Sequence, residues 1–270
     1  MKILVTGSNG FVGSHLIPKL EKQGHKITGM DIKDDFKQDI RNSERCLLDT
    51  INIDCVIHLA ALADVQDSIM RPAIYNRTNV VGLLNLLRAS DTNKVKRFIF
   101  ASSAAADNPQ SPYGVTKLCG EHWCDIFQKC YGLSTVSLRF FNIYGKGTDK
   151  GVIPIWIDAI KKGERPVIYG GNQTRDFVYV DDVVRAIICA MECDATGVYE
   201  VGTGIGTSML DLCGTLFTIF DLEGYAVESK PSKDGEIRHS RAKRTEHTLD
   251  DLGFKAKYTL EQGLKEMLEC

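Results

Sequence analysis

Short apolar runs alternate along the chain with longer stretches in which apolar positions return at helical spacing. "KILVTG", "KITGMD", "DCVIHLAA", "RFIFASS" and "STVSLRF" read as strands, and their continuous apolar character predicts burial on both faces. Between them "FVGSHLIPKLEKQG", "VVGLLNLLRAS" and "GVTKLCGEHWCDIFQKCYG" carry the helical period, the first stopped by Gly24. Strand–helix alternation of this kind predicts an α/β fold, a doubly wound parallel sheet covered by helices on both sides. Past residue 147 the alternation lapses. A helix in "IPIWIDAIKKG", a strand in "FVYV", a helix in "VVRAIICAME" and mixed elements beyond predict a smaller second lobe. The expected division is residues 1–147 and 148–270, with some segments of the second part returning to the first.

Composition narrows the partners. Of 270 residues, 43% are hydrophobic and 25% charged, as in soluble globular proteins. A net charge of −2 gives no electrostatic basis for binding nucleic acid or an anionic membrane, which leaves a small molecule. "MKILVTG" is too brief for a secretory leader, and "NVVGLLNLL", broken by Asn85 and closed by Arg88, falls far short of the roughly 20 residues of a membrane span. Nine cysteines without paired spacing are expected to be reduced thiols in the cytoplasm. Cys119, His122 and Cys124 share one predicted helix and are read as packing and surface residues, so no metal is expected. The sequon at Asn76-Arg77-Thr78 has no consequence in that compartment.

The first strand runs into "TGSNGFVG", which opens the first helix. Gly7 allows a tight turn, Gly10 lets a pyrophosphate approach the backbone, and Gly13 lets helix and strand pack closely. Asp31 ends the second strand, where a carboxylate accepts both ribose hydroxyls of adenosine and repels a 2′-phosphate. A Rossmann-type sheet binding NAD rather than NADP is expected, with Lys33 the one cation nearby that argues the other way.

"SSAAADNPQSPYGVTK", residues 102–117, supplies the candidate chemistry. Tyr113 and Lys117 are four apart on a predicted helix and project from one face. A phenol titrates near pH 10, so use as a base at neutrality needs about 4 kcal/mol in favour of phenolate. One positive charge about 5 Å away supplies roughly 3 kcal/mol at an effective dielectric near 20. Lys117 together with the cationic ring of NAD is expected to suffice.

The motifs "TGSNGFVGSHL", "QDIRN", "VIHLAA", "NVVGLLNLL", "SPYGVTK", "LRFFNIYG", "RDFVYVDDV" and "YEVGTG" run in order from residue 3 to about 240. In them the chain resembles the extended short-chain dehydrogenase/reductases, in their NAD-dependent nucleotide-sugar epimerase/dehydratase branch. That resemblance implies cofactor contacts from Gly7, Asn9, Gly10, Phe11, Val12, Gly13, Asp31, Leu59, Ala60 and Ala61. It also puts Asp39 and Ile40 at the adenine and Asn79 along the dinucleotide channel. Ser103, Tyr113 and Lys117 would form the catalytic triad, with Ser102 the other candidate for the serine. Asn142 and Arg175 would hold the diphosphate of a UDP-sugar and Tyr169 its uracil.

In "KDGEIRHS" Lys233 stands where an arginine is usual, offering a point charge in place of a fork. Ser240 stands where some epimerases carry tyrosine, so room for an N-acetyl group is expected. The dehydratases and decarboxylases of the branch carry a carboxylate just after the catalytic hydroxyl residue; here Ala104 and Ala105 follow Ser103. What remains is oxidation to a 4-keto sugar and its reduction, a 4-epimerase of UDP-glucose and UDP-galactose and of their N-acetyl forms. The alternatives are a nucleotide-sugar 4-ketoreductase using free reduced cofactor, and an NAD-binding regulatory protein with eroded catalysis. The resemblance further implies a homodimer packed through the helix of Tyr113. Loops after Asp31, between Ser103 and Tyr113, and between Gly147 and Pro154 are shorter than is usual in the branch, so a more open pocket is expected.

Overall fold

The computed structural model of the chain describes residues 1–35, 38–222, 226–231 and 238–269. Its centre is a six-stranded sheet of β1 (Lys2–Thr6), β2 (Lys26–Met30), β3 (Cys55–His58), β4 (Arg97–Ser103), β5 (Ser134–Phe140) and β6 (Gly197–Val201). Every pairing is parallel, in the spatial order β6-β5-β4-β3-β1-β2. Chain direction across the sheet reverses between β1 and β3, and such a switch point opens a crevice at the carboxyl ends of the strands. Among the described residues no strand stands between β2 and the helix Ser43–Asp49, so β2 is the sheet edge.

Both faces of the sheet are covered over β1, β3, β4 and β5, as continuous apolar strands require, whereas β2, expected to be buried as well, is an edge strand exposed over most of its length. On one side Ile3, Val5, Ile57 and Val136 pack with Leu16 and Leu20 of α1 (Phe11–Lys22). Val183, Ile187 and Ala190 from a later helix, Val180–Glu192, complete that layer with Leu252 and Phe254. On the other side Leu4, Val56, Phe98 and Phe100 meet Leu83 and Leu86 of α2 (Gly82–Thr92) and Cys124 and Phe127 of α3 (Pro112–Tyr131). The segment predicted to begin a helix at "VV" is a π-helical turn, Asn76–Val81, that leads into α2.

A separate apolar cluster forms the C-terminal lobe. Ile153, Trp156 and Ile160 of helix Val152–Lys161 pack with Leu212 and Leu216 of helix Met209–Ile219 and with Leu264. Beside it lies a small sheet in the order Thr207–Ser208, Thr174–Arg175, His239–Ser240. The "FVYV" segment is strand Phe177–Tyr179, paired in parallel with Asn142–Tyr144. Between the two clusters the chain crosses back, because Val180–Glu192 and β6 belong to the layers of the central sheet. Among the described residues no helix is long and apolar enough to cross a membrane.

Candidate active site

The crevice at the end of β1 is shaped by glycines. Gly7 adopts φ +70°, and a Cβ there would stand 2.8 Å from the Ala60 nitrogen at the end of β3. Gly13 faces its own loop: a Cβ would come within 2.5 Å of the Gly7 and Ser8 carbonyl oxygens. Gly10 caps α1 without a side-chain hydrogen bond, so the first-turn N–H groups are open to an anion. Phe11 and Val12 follow as the first residues of that turn. Opposite, the Leu59 N–H donates to the Thr6 carbonyl at 3.1 Å and the Ala60 N–H to Thr6 Oγ1 at 3.3 Å, with Ala61 next in the chain.

Asp31 is turned inward at the edge of this crevice. Its Oδ2 accepts from the Asn9 N–H and its Oδ1 from the Lys33 N–H, each at 2.9 Å. Each oxygen retains an acceptor site for a ribose hydroxyl. Lys33 Nζ donates to the Asn9 carbonyl at 3.1 Å, and the Asn9 amide donates to Asp34, so Asn9 is fastened at both ends. A dinucleotide therefore fits on the chain's own terms: a Cβ-free turn, an uncapped helix start and an oriented carboxylate.

Asp39 is engaged by Arg41, whose Nε donates to its two oxygens at 3.0 and 2.8 Å. These bonds hold the Asp39 carboxyl below the usual carboxylate range. The Ile40 side chain covers Gly82, and its carbonyl accepts from Asn85 Nδ2 at 3.0 Å. Asn79 sits in the π-helical turn with its amide wholly committed. Its Oδ1 accepts from the Leu62 N–H at 2.9 Å, and its Nδ2 donates to the Leu62 carbonyl and to Thr116 Oγ1. It locks the loop after β3 to α3.

The segment after β4 is a short 3-10 turn, Ala104–Ala106, capped by Ser103, whose Oγ accepts from the Ala105 N–H at 3.2 Å. After residues 107–110 α3 starts, with Ser111 as its cap and Pro112 in its first position. Gly114 permits the close approach of the two, since a Cβ there would lie 2.6 Å from the Ala105 carbonyl oxygen. Tyr113 is thereby held beside Ser103, its own N–H donating to Ser68 Oγ at 3.2 Å. Strand alternation parts the paired serines. Ser102 is buried and donates to Glu121 Oε1 at 2.5 Å, whereas Ser103 is the one that bears on the Tyr113 phenol.

Lys117 lies one helical turn from Tyr113 and is only 4% exposed. Its Nζ donates to the Ala101 carbonyl at 2.6 Å and stands 5.0 Å from the Phe100 ring centroid and 5.9 Å from that of Tyr113. Burial lowers the ammonium to about 8, with Glu121 opposing. Burial also pushes the Tyr113 phenol above its ordinary value, with the Ser103 hydroxyl opposing. The phenol that Lys117 is expected to acidify is thus held neutral in the chain by itself, because desolvation dominates. Next to it His58 is buried and stacked on Phe100, and burial and then Lys117 lower it to about 3, so it is a neutral ring.

Beneath the triad lies a buried ion pair absent from the sequence reading. Arg139 Nε and Nη2 donate to the two oxygens of Glu121, each at 2.8 Å, and Nη1 donates to Asp107 at 2.7 Å. The signal was there: an arginine inside the apolar strand "STVSLRF" requires a buried partner.

On the lobe side Arg175 and Ser240 are register partners in the small sheet. The exposed Asn142 is tied in by its N–H, which donates to the Asp176 carbonyl at 2.9 Å. Asp176 is fully buried and organises this region. Its carboxylate accepts from the N–H groups of Thr203, Gly204 and Ala242 at 2.9, 2.8 and 3.1 Å and from the Thr203 hydroxyl at 2.6 Å. Tyr169 ends strand Val167–Tyr169, its ring 6.0 Å from Lys230 Nζ. Lys233 lies outside the described residues. Cys119 is half-buried, Cys124 is buried with its thiol pushed up to about 12, and His122 is exposed. Among the described residues no His, Cys, Asp and Glu group is arranged to hold a metal ion.

Comparison with known proteins agrees with this geometry. Residues 3–202 match the model of the NAD dependent epimerase/dehydratase family. A UDP-glucose 4-epimerase of Mycolicibacterium smegmatis is 30% identical over 308 residues, covering 100% of this chain and 98% of the relative. That alignment is longer than the chain, so the relative carries insertions. The crystal structure of a Thermotoga maritima UDP-glucose 4-epimerase with UDP-glucose is 34% identical with a TM-score of 0.92, covering 99% of this chain and 97% of that one. A UDP-N-acetylglucosamine 4-epimerase from Methanobrevibacter ruminantium, in complex with UDP-N-acetylmuramic acid, is 32% identical with a TM-score of 0.90, over 98% and 96% of the two chains. The chain belongs to the NAD-dependent epimerase/dehydratase family, and its cofactor is NAD.

Proposed function

We propose that this member of the family is a 4-epimerase of UDP-hexoses, working through a transient 4-keto sugar. The observation that carries the reading is the meeting of Ser103 and Tyr113 at the end of β4, backed by Lys117, with only alanines at 104–106. A dehydration or decarboxylation would need a carboxylate there. Tyr113 takes the proton of the sugar's 4-hydroxyl and Ser103 steadies that oxygen. NAD, when bound, supplies the hydride acceptor and later the donor. Tyr113 then returns the proton to the ketone oxygen after the sugar has turned its other face. Lys117, fixed on the Ala101 carbonyl, favours the phenolate throughout.

The cofactor set of Gly7 through Gly13, Asp31, Asp39, Ile40, the 59–61 segment and Asn79 belongs to the first part of the chain. Arg175 and Asn142 would take the diphosphate and Tyr169 the uracil. Ser240, beside Arg175, leaves room for an N-acetyl group, so UDP-N-acetylhexosamines are substrates alongside UDP-glucose and UDP-galactose. The likeness, at 32% identity, to a UDP-N-acetylglucosamine 4-epimerase supports this. Ser240→Tyr should discriminate against the N-acetyl substrates, and equal treatment of both classes by that variant would defeat this part of the reading. Incubation with the four UDP-sugars at trace NAD, read at carbon 4 by proton NMR, tests the activity. Product formed only in step with consumed reduced cofactor would replace the epimerase by a ketoreductase.

Val115, Cys119, His122 and Ile126 make a stripe of outward positions at spacings of four, three and four along α3. Pairing through this stripe would give a homodimer, which light scattering tests. Cysteines without disulfides among the described residues support a cytoplasmic setting.

A further inference from the structure

The small sheet of the lobe has two faces, and Arg175 and Ser240 occupy one. Alternation turns their neighbours Thr174 and His239, themselves register partners, to the other. There Thr174 Oγ1 lies 3.1 Å from His239 Nδ1. Gly206 is on the same side, since a Cβ on it would stand 3.3 Å from Thr174 Oγ1 and 3.9 Å from Arg241 Cδ. Thr174, Gly206, His239, Arg241 and Lys243 line a part-open cavity of about 380 Å³. That volume suits a small molecule.

Residues 239, 241 and 243 recur with the two-residue period of an extended chain, which gathers an imidazole, a guanidinium and an ammonium at one wall. The backbone beneath them is anchored from within. Asp176 accepts from the Ala242 N–H at 3.1 Å, and Glu200 Oε2 accepts from those of Lys243 and Arg244 at 2.5 and 2.9 Å. Both carboxylates are buried and turned onto main-chain amides, so they fix the segment while its side chains point away. Among the described residues no carboxylate lines the cavity. Among the described residues neither Arg241 nor Lys243 has an ion-pair partner.

Arg241 and Lys243, without an ion-pair partner among the described residues, repel each other across the hollow, and an anion between them would relieve that repulsion. A guanidinium fork and an ammonium point charge together match the oxygens of a phosphate group. We propose that this cavity binds the phosphate group of a small phosphorylated molecule, at a site separate from the one Arg175 serves. It does not depend on the epimerase reading, because it concerns the reverse face of the sheet.

The test is calorimetric titration of the full-length chain with inorganic phosphate and, separately, glucose 1-phosphate, both with UDP and NAD in excess. One saturable site per chain is expected in at least one arm, and the tighter arm identifies free phosphate or sugar phosphate as the source. In an Arg241→Gln, Lys243→Gln double variant the affinity should fall by about tenfold or more, as loss of charged hydrogen bonds predicts. UDP affinity, titrated alone, should change by less than about twofold, since those contacts lie on the other face. Arg241→Lys should retain part of the phosphate binding, which separates loss of charge from misfolding. Absence of saturable binding in both arms overturns the proposal, as does binding that survives the double substitution. Joint loss of UDP and phosphate affinity overturns it too, because the cavity would then belong to the UDP site.

Discussion

Replacing Lys117 by methionine removes a buried charge whose Nζ stands 5.9 Å from the Tyr113 ring centroid. At an effective dielectric of about 20, that charge favours phenolate by about 2.8 kcal/mol, or about two pK units. The sign follows directly. On the proposed mechanism phenolate is the working base; the charge lowers the phenol's pKa, and its loss raises it. At pH 7, below the lysine's value of about 8, the wild-type charge is present, so Lys117→Met should turn over about 100-fold more slowly. Above pH 8 the wild-type lysine sheds its own proton and the advantage disappears. The gap between the two proteins should therefore close as pH rises. The assay is kcat for UDP-galactose conversion from pH 6 to about 10 at saturating substrate, with circular dichroism to check the fold. A loss that is equal at both ends of this range would refute the electrostatic argument and leave Lys117 a purely positioning role.

The two serines should separate cleanly. Ser103→Ala is expected to lower kcat by about 10²–10⁴ with stability kept, because it removes a hydroxyl at the reacting oxygen. Ser102→Ala should keep turnover within a few-fold and lose about 1–3 kcal/mol of stability by denaturant titration, since buried Glu121 loses a donor. Asp31→Ser should weaken NAD binding by about tenfold to 100-fold and narrow its margin over NADP, read by calorimetry. Gly13→Ala drives a methyl to 2.5 Å from two backbone carbonyl oxygens and should cost about 1–3 kcal/mol of stability along with NAD binding.

Local chemistry was legible in the sequence and relative placement was not. The turn at Gly7, the close packing at Gly13 and the carboxylate ending β2 are requirements that neighbouring residues impose on one another, so spacing alone reveals them. The parallel sheet follows from apolar strands separated by helices. Its edge at β2 does not, because apolar runs do not say where a sheet stops; among the described residues β2 has no outer neighbour. Ser102 and Ser103 are indistinguishable until the strand's end and α3 are brought together and Glu121 claims one of them. Glu121 and Arg139 lie on separate elements, and only the packing of α3 on β5 joins them. The phenol's burial, which works against its acidity, is equally a property of the assembled site.

The return of the chain from lobe to central sheet bears on how the protein is made. When the first 147 residues have left the ribosome, β5 still lacks its outer neighbour, and the apolar layer around α1 still lacks Val183, Ile187 and Ala190. That layer is complete only once Leu252 and Phe254 arrive as well. The nascent chain thus carries an uncovered oily surface through much of translation, the kind of surface that chaperones shield and that aggregates when unshielded.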